Sequence, residues 1–443
     1  MKATDIFKDK NLIECLKNKA FDEKDKYIKI FNDKDEIIEE NINKVTYIDC
    51  SNYWITNING ISIFKNLKIL DLSDNLIEEL PKEIGELENL KELYLVSNRI
   101  KEIPEEIGKL RNLKILDLED NKLQHFPKGI LELENLEELN LRDNQIEEIP
   151  KEIWKLINLK ELYLSHNQLQ ELPKEIGQLK NLKELILSDN QIEKIPSEIS
   201  ELINLKILDL IWNQIKKLPQ KIGELTNLEE LGLSYNRIKK IPNEIGQLKN
   251  LKILNLSDNQ IKEIPKEICN LKNLEILDLK NNKLQWLPEE IWRLKNLKKL
   301  YLADNQLRLL PKEIGNLKNL KKWWLSNNKL QILPKEIWNL QNLEELFLDW
   351  NKLQWLPIEV LKLSKLKWLS LKEAFDLNNL KQDPEELFDI LEQLKEKNLF
   401  SNLSLDYLEE EVYPFLEKKI KTKYKITDLK QIKDNLNLDN LNF

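Results

Sequence analysis

The stretch that decides the fold is 182–204, LKELILSDNQIEKIPSEISELIN, because its pattern returns along the chain at a fixed step. Asn190 belongs to a series that recurs every 23 residues, and Pro196 belongs to a second series that follows six residues later. Thirteen of the 15 prolines keep this register, and a period of this length is the signature of a solenoid. The asparagines of the first series are Asn75, Asn98, Asn121, Asn144, Asn167, Asn190, Asn213, Asn236, Asn259, Asn282, Asn305, Asn328 and Asn351.

Each fixed position of the stretch has a physical role. Leu185 and Leu187 alternate with outward residues such as Ile186, which predicts a short strand with one buried face. Asn190 ends that strand, and a buried amide there can satisfy backbone groups of the turn, so the series predicts an asparagine ladder. Pro196 suits the first position of a short helix. One such unit cannot offset its own loss of chain entropy, so the units must stack.

The repeated unit resembles the leucine-rich repeat. Residues 80–90, LPKEIGELENL, are similar to a 23-residue class that is abundant in spirochaete proteins, notably leptospiral ones. They also resemble the repeat regions of animal Ras-pathway scaffolds and of plant Ras-group repeat proteins. The resemblance implies an α/β solenoid, in which a leucine-rich-repeat arc carries a parallel concave β-sheet and short helical or 3-10 segments on its convex side. It also implies protein–protein interaction, without naming a partner.

The pattern weakens at both ends, which predicts helical caps around the repeats. Tyr53 and Ala374 stand where the asparagine is expected. Short helices are predicted around 11–20 and 35–43, and further ones at 383–396, 405–421 and 428–436. The C-terminal region is either a cap that covers exposed core or a separate partner-binding module. The predicted regions are an N-terminal cap at 1–44, a solenoid at 45–374 and a C-terminal cap or extension at 375–443, with a degenerate first coil at 45–66, thirteen repeats at 67–365 and a partial coil at 366–374.

Composition restricts the class of partner. Charged residues make up 33% of the chain and the formal net charge is −8, whereas a nucleic-acid binder needs clustered Lys and Arg. We therefore expect a protein partner and no nucleic acid. No apolar run approaches the length of a membrane span, so we expect no membrane insertion.

Cysteine usage and the N-terminus favour a cytoplasmic location. Cys15, Cys50 and Cys269 are widely spaced, odd in number and without a CxxC motif, which predicts a reducing compartment and no disulfide framework. The first ten residues are charged and lack the apolar core of a signal peptide. The alternative is a secreted or surface-associated protein without a classical signal peptide.

The outward strand positions are free to vary, so they are the candidate recognition surface. Tyr301, Trp324 and Phe347 occupy the central outward position in three consecutive repeats, with Trp368 diagonally beside them and Trp350 at the adjoining strand end. Clustered large aromatics on an exposed rigid sheet are typical of binding hot spots. We predict that this group is the main partner-binding site. The alternative is an aromatic ladder that stiffens the last repeats.

Two further groups are weaker candidates on the same face. Trp212 and Tyr235 form an aromatic pair in adjacent repeats, which either extends the binding surface or has no role in it. Asp71, Asp117 and Asp120 belong to an acidic region in the N-terminal half. That region is either a solvated mixed face, a docking zone for a basic partner or a weak divalent-cation site; we assign no metal to it.

Large apolar residues also occur away from the predicted sheet. Trp286, Leu309, Ile332 and Trp355 share the position just before the Leu-Pro step and are candidates for an apolar stripe on one flank. Trp323 occupies an inward leucine position and is predicted to be core.

Catalytic chemistry is not indicated. The chain has no P-loop, no GxGxxG after a strand, no GxSxG, no HExxH and no kinase motifs. His125 and His166 belong to separate repeats without a nearby cysteine. We therefore expect no catalytic residue, no metal and no cofactor, and predict a non-catalytic protein-binding scaffold. The alternative is an exported effector or surface adhesin that binds a host protein or glycan.

Overall fold

The computed structural model describes residues 1–24 and 26–424, which divide after Arg237 into two compact units. We call Met1–Arg237 unit 1 and the part that starts at Ile238 unit 2. The predicted helix at 428–436 lies outside the described residues. Each unit is a solenoid in which every coil contributes one short parallel strand and one short 3-10 helix.

Where the structure describes it, unit 1 has ten strands, of which β1 pairs antiparallel with β2 and the rest run parallel. Its helices and strands are α1 Ala3–Ile6, α2 Lys10–Leu16, β1 Ala20–Phe21, α3 Glu39–Ile42, β2 Tyr47–Asp49, β3 Ile69–Asp71, β4 Glu92–Tyr94, β5 Ile115–Asp117, β6 Glu138–Asn140, β7 Glu161–Tyr163, β8 Glu184–Ile186, β9 Ile207–Asp209 and β10 Glu230–Gly232. Its 3-10 helices are Ile61–Ile63, Lys82–Glu86, Glu105–Lys109, Lys128–Glu132, Lys151–Lys155, Lys174–Gln178, Ser197–Glu201 and Gln220–Glu224.

The described residues of unit 2 form six parallel strands followed by helices. Its strands and helices are β11 Ile253–Asn255, β12 Ile276–Asp278, β13 Lys299–Tyr301, β14 Lys322–Trp324, β15 Glu345–Phe347, β16 Trp368–Ser370, α4 Pro384–Glu396, α5 Asn402–Tyr407, a π-helical turn Leu408–Val412 and α6 Tyr413–Tyr424. Its 3-10 helices are Asn243–Gln247, Lys266–Asn270, Glu289–Arg293, Lys312–Asn316, Lys335–Asn339, Ile358–Lys362 and Leu377–Asn379.

Strand register follows the sequence period, which is what aligns the surface columns. Leu185 pairs with Leu208 and Ile186 pairs with Asp209, so equivalent residues of adjacent coils lie side by side. The inward leucines are fully buried, as the period-two pattern predicts. The prolines differ by one position from the prediction. Pro196 has extended backbone and precedes the 3-10 helix Ser197–Glu201, where its carbonyl accepts a 3.1 Å hydrogen bond from the Ile199 N–H.

The predicted asparagine ladder is present, and each amide links two coils. Asn213 is 7% exposed, and its Nδ2 donates to the Leu187 carbonyl of the preceding coil at 2.9 Å and to the Leu210 carbonyl of its own coil at 3.2 Å. Its Oδ1 accepts a hydrogen bond from the Ile192 N–H of the preceding coil at 2.9 Å. Each ladder residue therefore satisfies backbone groups that the coil before it leaves buried.

The N-terminal end corrects two predictions. Cys15 and Cys50 form a disulfide with a Cα–Cα distance of 5.6 Å, so the prediction of no disulfide framework is wrong. The helical prediction is also only partly confirmed, because β1 lies between the short helices α2 and α3 and pairs with β2. Both differences from the prediction have one cause, because the open edge of the sheet at β2 must be covered. The chain covers this edge with the antiparallel strand β1 and with α2, which carries Cys15. A spacing of 35 residues between the cysteines carries no motif that would reveal this contact.

The Asp9 carboxylate ties the same end to the first coil. It accepts hydrogen bonds from the Asn11 N–H at 2.7 Å, the Thr56 Oγ1 at 2.8 Å and the Asn57 N–H at 3.1 Å, and further ones from the backbone of Thr56 and Leu12. Burial alone would raise the pKa of Asp9, but these hydrogen bonds lower it below its ordinary value.

A helical C-terminal cap covers the other end of the repeats, and its side chains make the backbone hydrogen bonds that ladder asparagines make elsewhere. Gln382 is 3% exposed, and its side chain accepts from the Leu356 N–H at 2.9 Å and donates to the Leu356 carbonyl at 3.0 Å. The buried Ser404 hydroxyl accepts from the Leu371 N–H at 3.1 Å. The predicted helix at 383–396 is confirmed as α4, with Asp383 as its N-cap. The described cap therefore satisfies the last coil with side chains outside the repeat register.

Candidate protein-binding surfaces

An aromatic row lies on the outward face of β13, β14 and β15. Strand register places Tyr301 beside Trp324 and Trp324 beside Phe347. The ring centroids are 4.5 Å apart in the first pair and 5.4 Å apart in the second, where the planes differ by 17°. We call these three residues the aromatic row. The predicted adjacency is confirmed.

The aromatic row is half-buried and held in place by charged neighbours. Its three rings are neither core nor fully exposed, because each ring covers part of the next. The Trp324 Nε1 donates to Glu345 Oε2 at 3.2 Å, and the Lys322 ammonium lies 2.7 Å from the same carboxylate. These contacts restrict the orientation of the central indole.

Lys280 borders the aromatic row and was not singled out from the sequence. Its ammonium lies 5.7 Å from the ring centroids of both Tyr301 and Trp324, within cation–π range, and 3.6 Å from the Asp278 carboxylate. Burial raises the pKa of the Asp278 carboxyl, although the Lys280 N–H and ammonium oppose the shift. Burial also raises the pKa of Tyr301. The row therefore combines apolar ring area with one cation at its edge.

Trp350 and Trp368 add more exposed indoles near the aromatic row. They are 48% and 56% exposed, and Trp368 is in β16, next to β15. Trp323, the neighbour of Trp324, is fully buried, as predicted. The predicted group therefore comprises three half-buried rings and two exposed indoles.

The residue before each ladder asparagine has a left-handed backbone, which places some of the aromatic residues in an unfavourable conformation. Most of these positions carry Asp or Asn, which tolerate positive φ, but Trp212, Tyr235 and Trp350 have φ of 55°, 53° and 51°. The Trp212 and Tyr235 rings stack with centroids 3.8 Å apart and planes 5° apart, and they are 55% and 42% exposed. The pair predicted from sequence is thus a stacked and exposed pair of aromatic rings in unit 1.

The acidic region of unit 1 is a mixed surface. The Asp71 and Asp117 carboxylates accept hydrogen bonds from the backbone N–H two residues later, at 2.9 and 3.0 Å, and Asp120 accepts from Ser97 Oγ at 2.9 Å. Burial raises the pKa of Asp117. The Arg142 guanidinium lies 3.0 Å from the Asp143 carboxylate and 3.8 Å from the Glu119 carboxylate. Across residues 1–24 and 26–424, no group of three or more His, Cys, Asp or Glu residues is arranged to hold a metal ion.

The position two residues before each repeat proline forms a second row on a flank of the coils, which we call the flank row. In the last four full coils it carries Trp286, Leu309, Ile332 and Trp355, which are 54%, 61%, 46% and 38% exposed. Ile332 and Trp355 form a parallel backbone bridge, so members of adjacent coils are neighbours. The predicted apolar stripe is therefore present and open to solvent.

The remaining nucleophile and base candidates lie apart. His166 is half-exposed, with its Nδ1 2.7 Å from Asp189 Oδ2, and His125 lies in the flank row of unit 1. Cys269 is buried, and burial raises the pKa of its thiol to about 12. A thiol with that pKa is protonated at neutral pH and is a poor nucleophile. No helix in the described part of the chain has the length and apolar character that crossing a bilayer requires.

Known proteins with this geometry are numerous. The family model for a leucine-rich repeat region matches residues 44–151, 147–254 and 242–328. A leucine-rich repeat protein from Leptospira interrogans is 43% identical, with a TM-score of 0.71, over 74% of this chain and 84% of that one. The plant peptide hormone receptor RGFR1, solved in complex with RGF2, is 32% identical, with a TM-score of 0.52, over 73% of this chain and 62% of that one.

A more distant likeness supports the fold alone. An internalin from Listeria monocytogenes is 23% identical, with a TM-score of 0.67, over 77% of this chain and 95% of that one. A search among curated proteins finds no significant match. The family model and the leptospiral protein together cover most of the repeats, and they agree with the resemblance in the motif LPxEIGxLxNL. The chain therefore belongs to the leucine-rich-repeat family.

Proposed function

We propose that this protein is a non-catalytic scaffold that binds a protein partner on the outward face of its strands, through the aromatic row of Tyr301, Trp324 and Phe347. Leucine-rich repeats form a general protein-interaction fold, typically without enzymatic activity. The observation that carries the proposal is the contiguous, partly exposed ring stack across β13, β14 and β15. The exposed Trp350 and Trp368 extend the contact area.

The physical case rests on preorganisation. Aromatic side chains bring large apolar area at a low entropic cost, and hot spots are enriched in Trp and Tyr. Here the central indole is already fixed by Glu345, so little freedom remains to be lost on binding. Lys280 supplies a cation for an acidic group at the edge of the partner's contact surface.

The test is a pull-down from the native cell with the double variant Trp324→Ala and Phe347→Ala. We expect capture of the specific partner to fall at least about tenfold, because truncation of hot-spot aromatics commonly costs that much affinity. The melting temperature should change little. A matched control is Trp338→Leu, which removes a 40% exposed tryptophan outside the row. Equal capture by the double variant, or a large loss of its stability, would assign the rings a structural role instead.

A second candidate is an exported effector or adhesin that binds a host protein or glycan. The observation that favours it is the Cys15–Cys50 disulfide, because disulfides persist mainly in oxidising compartments. The stacked rings of Trp212 and Tyr235 supply a flat aromatic face on which a sugar ring can stack. Fractionation with thiol labelling of the native protein separates the candidates. A cytoplasmic pool with reduced Cys15 and Cys50 supports the first location, and an envelope or secreted pool with the bond formed supports the second.

A further inference from the structure

The flank row changes character along the chain. In unit 1 every member is polar and exposed: Glu79, Glu102, His125, Glu148, Glu171, Lys194 and Lys217. In unit 2 the first two members, Lys240 and Glu263, are charged, and the next four are Trp286, Leu309, Ile332 and Trp355. The backbone geometry is the same in both, since Glu79–Glu102 and Ile332–Trp355 form the same parallel bridge. The coil itself therefore does not require apolar side chains at this position.

Burial in the described chain does not explain the apolar members either. All four are exposed, and neighbouring Ile358 is 48% exposed as well. Contiguous exposed apolar residues on a protein that is otherwise rich in charge mark an interaction surface. This surface is separate from the aromatic row, which lies on the strands, whereas the flank row precedes the 3-10 helices in each coil.

Cations border the apolar part of the flank row on both sides along the chain. Three of them lie three positions before the apolar residue of their own coil: Lys283, Lys329 and Lys352. Arg308 lies one position before such a residue, and Lys312 and Lys335 lie three positions after one. All six are exposed. None of the six is in an ion pair with another residue of the described chain, although in unit 1 comparable side chains are paired, as in Lys101–Glu78 and Lys216–Glu193. Glu289 is the acidic exception at these positions. Within three positions of these apolar residues, six cations thus stand against one carboxylate, on a protein whose net charge is −8.

We propose that this apolar, cation-bordered part of the flank row docks an acidic amphipathic helix of a partner protein. Such a helix presents one apolar stripe with Asp or Glu on each side, which complements a single apolar row with Lys and Arg on each side.

The spacing favours a helix over an extended strand. Adjacent coils are about 4.8 Å apart where their strands pair, so the four apolar residues span about 14 Å. Three helical turns advance about 16 Å, whereas three steps between same-face residues of a strand advance about 20 Å. A helical stripe therefore stays in register with the row, and a strand drifts by about one coil.

The width of the site favours a helix over an anionic membrane. The row is one side chain wide, and each coil carries a glutamate four positions further on: Glu290, Glu313, Glu336 and Glu359. A helix about 10 Å wide can avoid these carboxylates. A flat anionic surface would be brought close to them, where like charges repel.

The test uses a fluorescein-labelled synthetic peptide of about 14 residues, with a leucine stripe at helical spacing and glutamates on both sides. We expect saturable binding to the full chain by fluorescence anisotropy, weakened by added salt. The variant Leu309→Lys with Ile332→Glu should bind at least about tenfold more weakly. It should fold normally, because unit 1 carries Lys and Glu at the same position.

Controls separate this site from the proposed function. Glu171→Lys with Lys194→Glu alters the flank row in unit 1 and should leave the affinity unchanged, as should Trp324→Ala with Phe347→Ala. Lys329→Gln with Lys352→Gln should reduce the salt dependence. A peptide with lysine in place of glutamate should bind more weakly.

Several results would overturn the proposal. These are absence of saturable binding, equal affinity for the Leu309→Lys, Ile332→Glu variant, or preference for the lysine peptide. Binding of phosphatidylglycerol vesicles that depends on Leu309 and Ile332, without peptide binding, would assign the row to a membrane surface. A dimer in sedimentation that the same variant dissolves, without peptide binding, would assign it to a second copy of the chain.

Discussion

Unit 1 and unit 2 carry the same asparagine at the ladder position, but their flank rows differ. Four of the seven unit 1 positions, His125, Glu148, Glu171 and Lys194, line a shallow polar groove, whereas the last four unit 2 positions carry only Trp, Leu and Ile. The interior position is fixed because its amide must satisfy buried backbone in every coil. The flank position has no such role in the fold, because the same backbone bridge carries glutamates at Glu79 and Glu102 and apolar residues at Ile332 and Trp355.

The largest expected effect tests whether the interior of the two units is equivalent. Asn213→Ala in unit 1 and Asn305→Ala in unit 2 remove the same set of hydrogen bonds, including those to the Ile192 and Leu284 N–H groups. We expect each to lower the free energy of unfolding by about 3–5 kcal/mol, because several buried backbone groups lose their partner. Urea unfolding followed by circular dichroism measures it. A loss below about 1 kcal/mol in either variant, close to the effect of an ordinary surface substitution, would contradict the ladder's structural role.

The next effect is confined to one end of unit 1. Cys15→Ser with Cys50→Ser should lower the local unfolding free energy of the N-terminal cap by about 2–4 kcal/mol, because the unfolded cap regains chain entropy. Hydrogen exchange of amides in α2 and β2 measures it, with amides of β13 and β14 as the internal reference. Unchanged protection in α2 would show that Asp9 and the β1–β2 pairing hold the cap without the disulfide.

The smallest effect compares buried carboxylates in the two units. Burial raises the pKa of Asp117 and Asp278, so their ionised forms are less favourable in the folded state than in the unfolded chain. Asn140 and Asn255 occupy the same position and keep the backbone hydrogen bond. Asp117→Asn and Asp278→Asn should therefore each raise the free energy of unfolding at pH 7, by less than about 1 kcal/mol.

The pH dependence has a defined sign. The gain should be largest above the raised folded pKa values and should disappear as the pH falls towards about 4, the unfolded value, because both states then bind the proton. It should be larger at Asp117 than at Asp278, whose charge Lys280 offsets. Thermal melts across this pH range measure it. A gain that persists at pH values below about 4 would point to a cause other than ionisation.

Repetition explains how much of the fold the sequence predicts. The 23-residue recurrence of the series that contain Asn190 and Pro196 sets the length of each coil, and coil length sets strand register. The adjacency of Tyr301, Trp324 and Phe347 therefore follows from their positions in the period. The ends are different because each group there occurs once. No periodic signal in the sequence predicts that Gln382 takes the role of a ladder asparagine or that Cys15 forms a disulfide with Cys50.

The candidate surfaces show the same division. The sequence predicts which residues share a column, but the exposed fraction of a ring depends on how its neighbours lean. Trp324 is half-buried by Phe347 and tied to Glu345, whereas Trp368 is 56% exposed. The contribution of Lys280 depends on a long side chain folding over two rings, which strand periodicity does not encode.

The ladder's bonds also determine how this molecule can change its length. Asn213 reaches back to Leu187 and Ile192 and not forward, so each coil is completed by its successor. Removing or inserting one whole 23-residue period within the array restores the same donors and acceptors at the junction. Both caps stay intact in such a change. Gain or loss of whole periods would therefore change the length of the repeat array in steps of about 4.8 Å and keep the ladder hydrogen bonds of the interior coils.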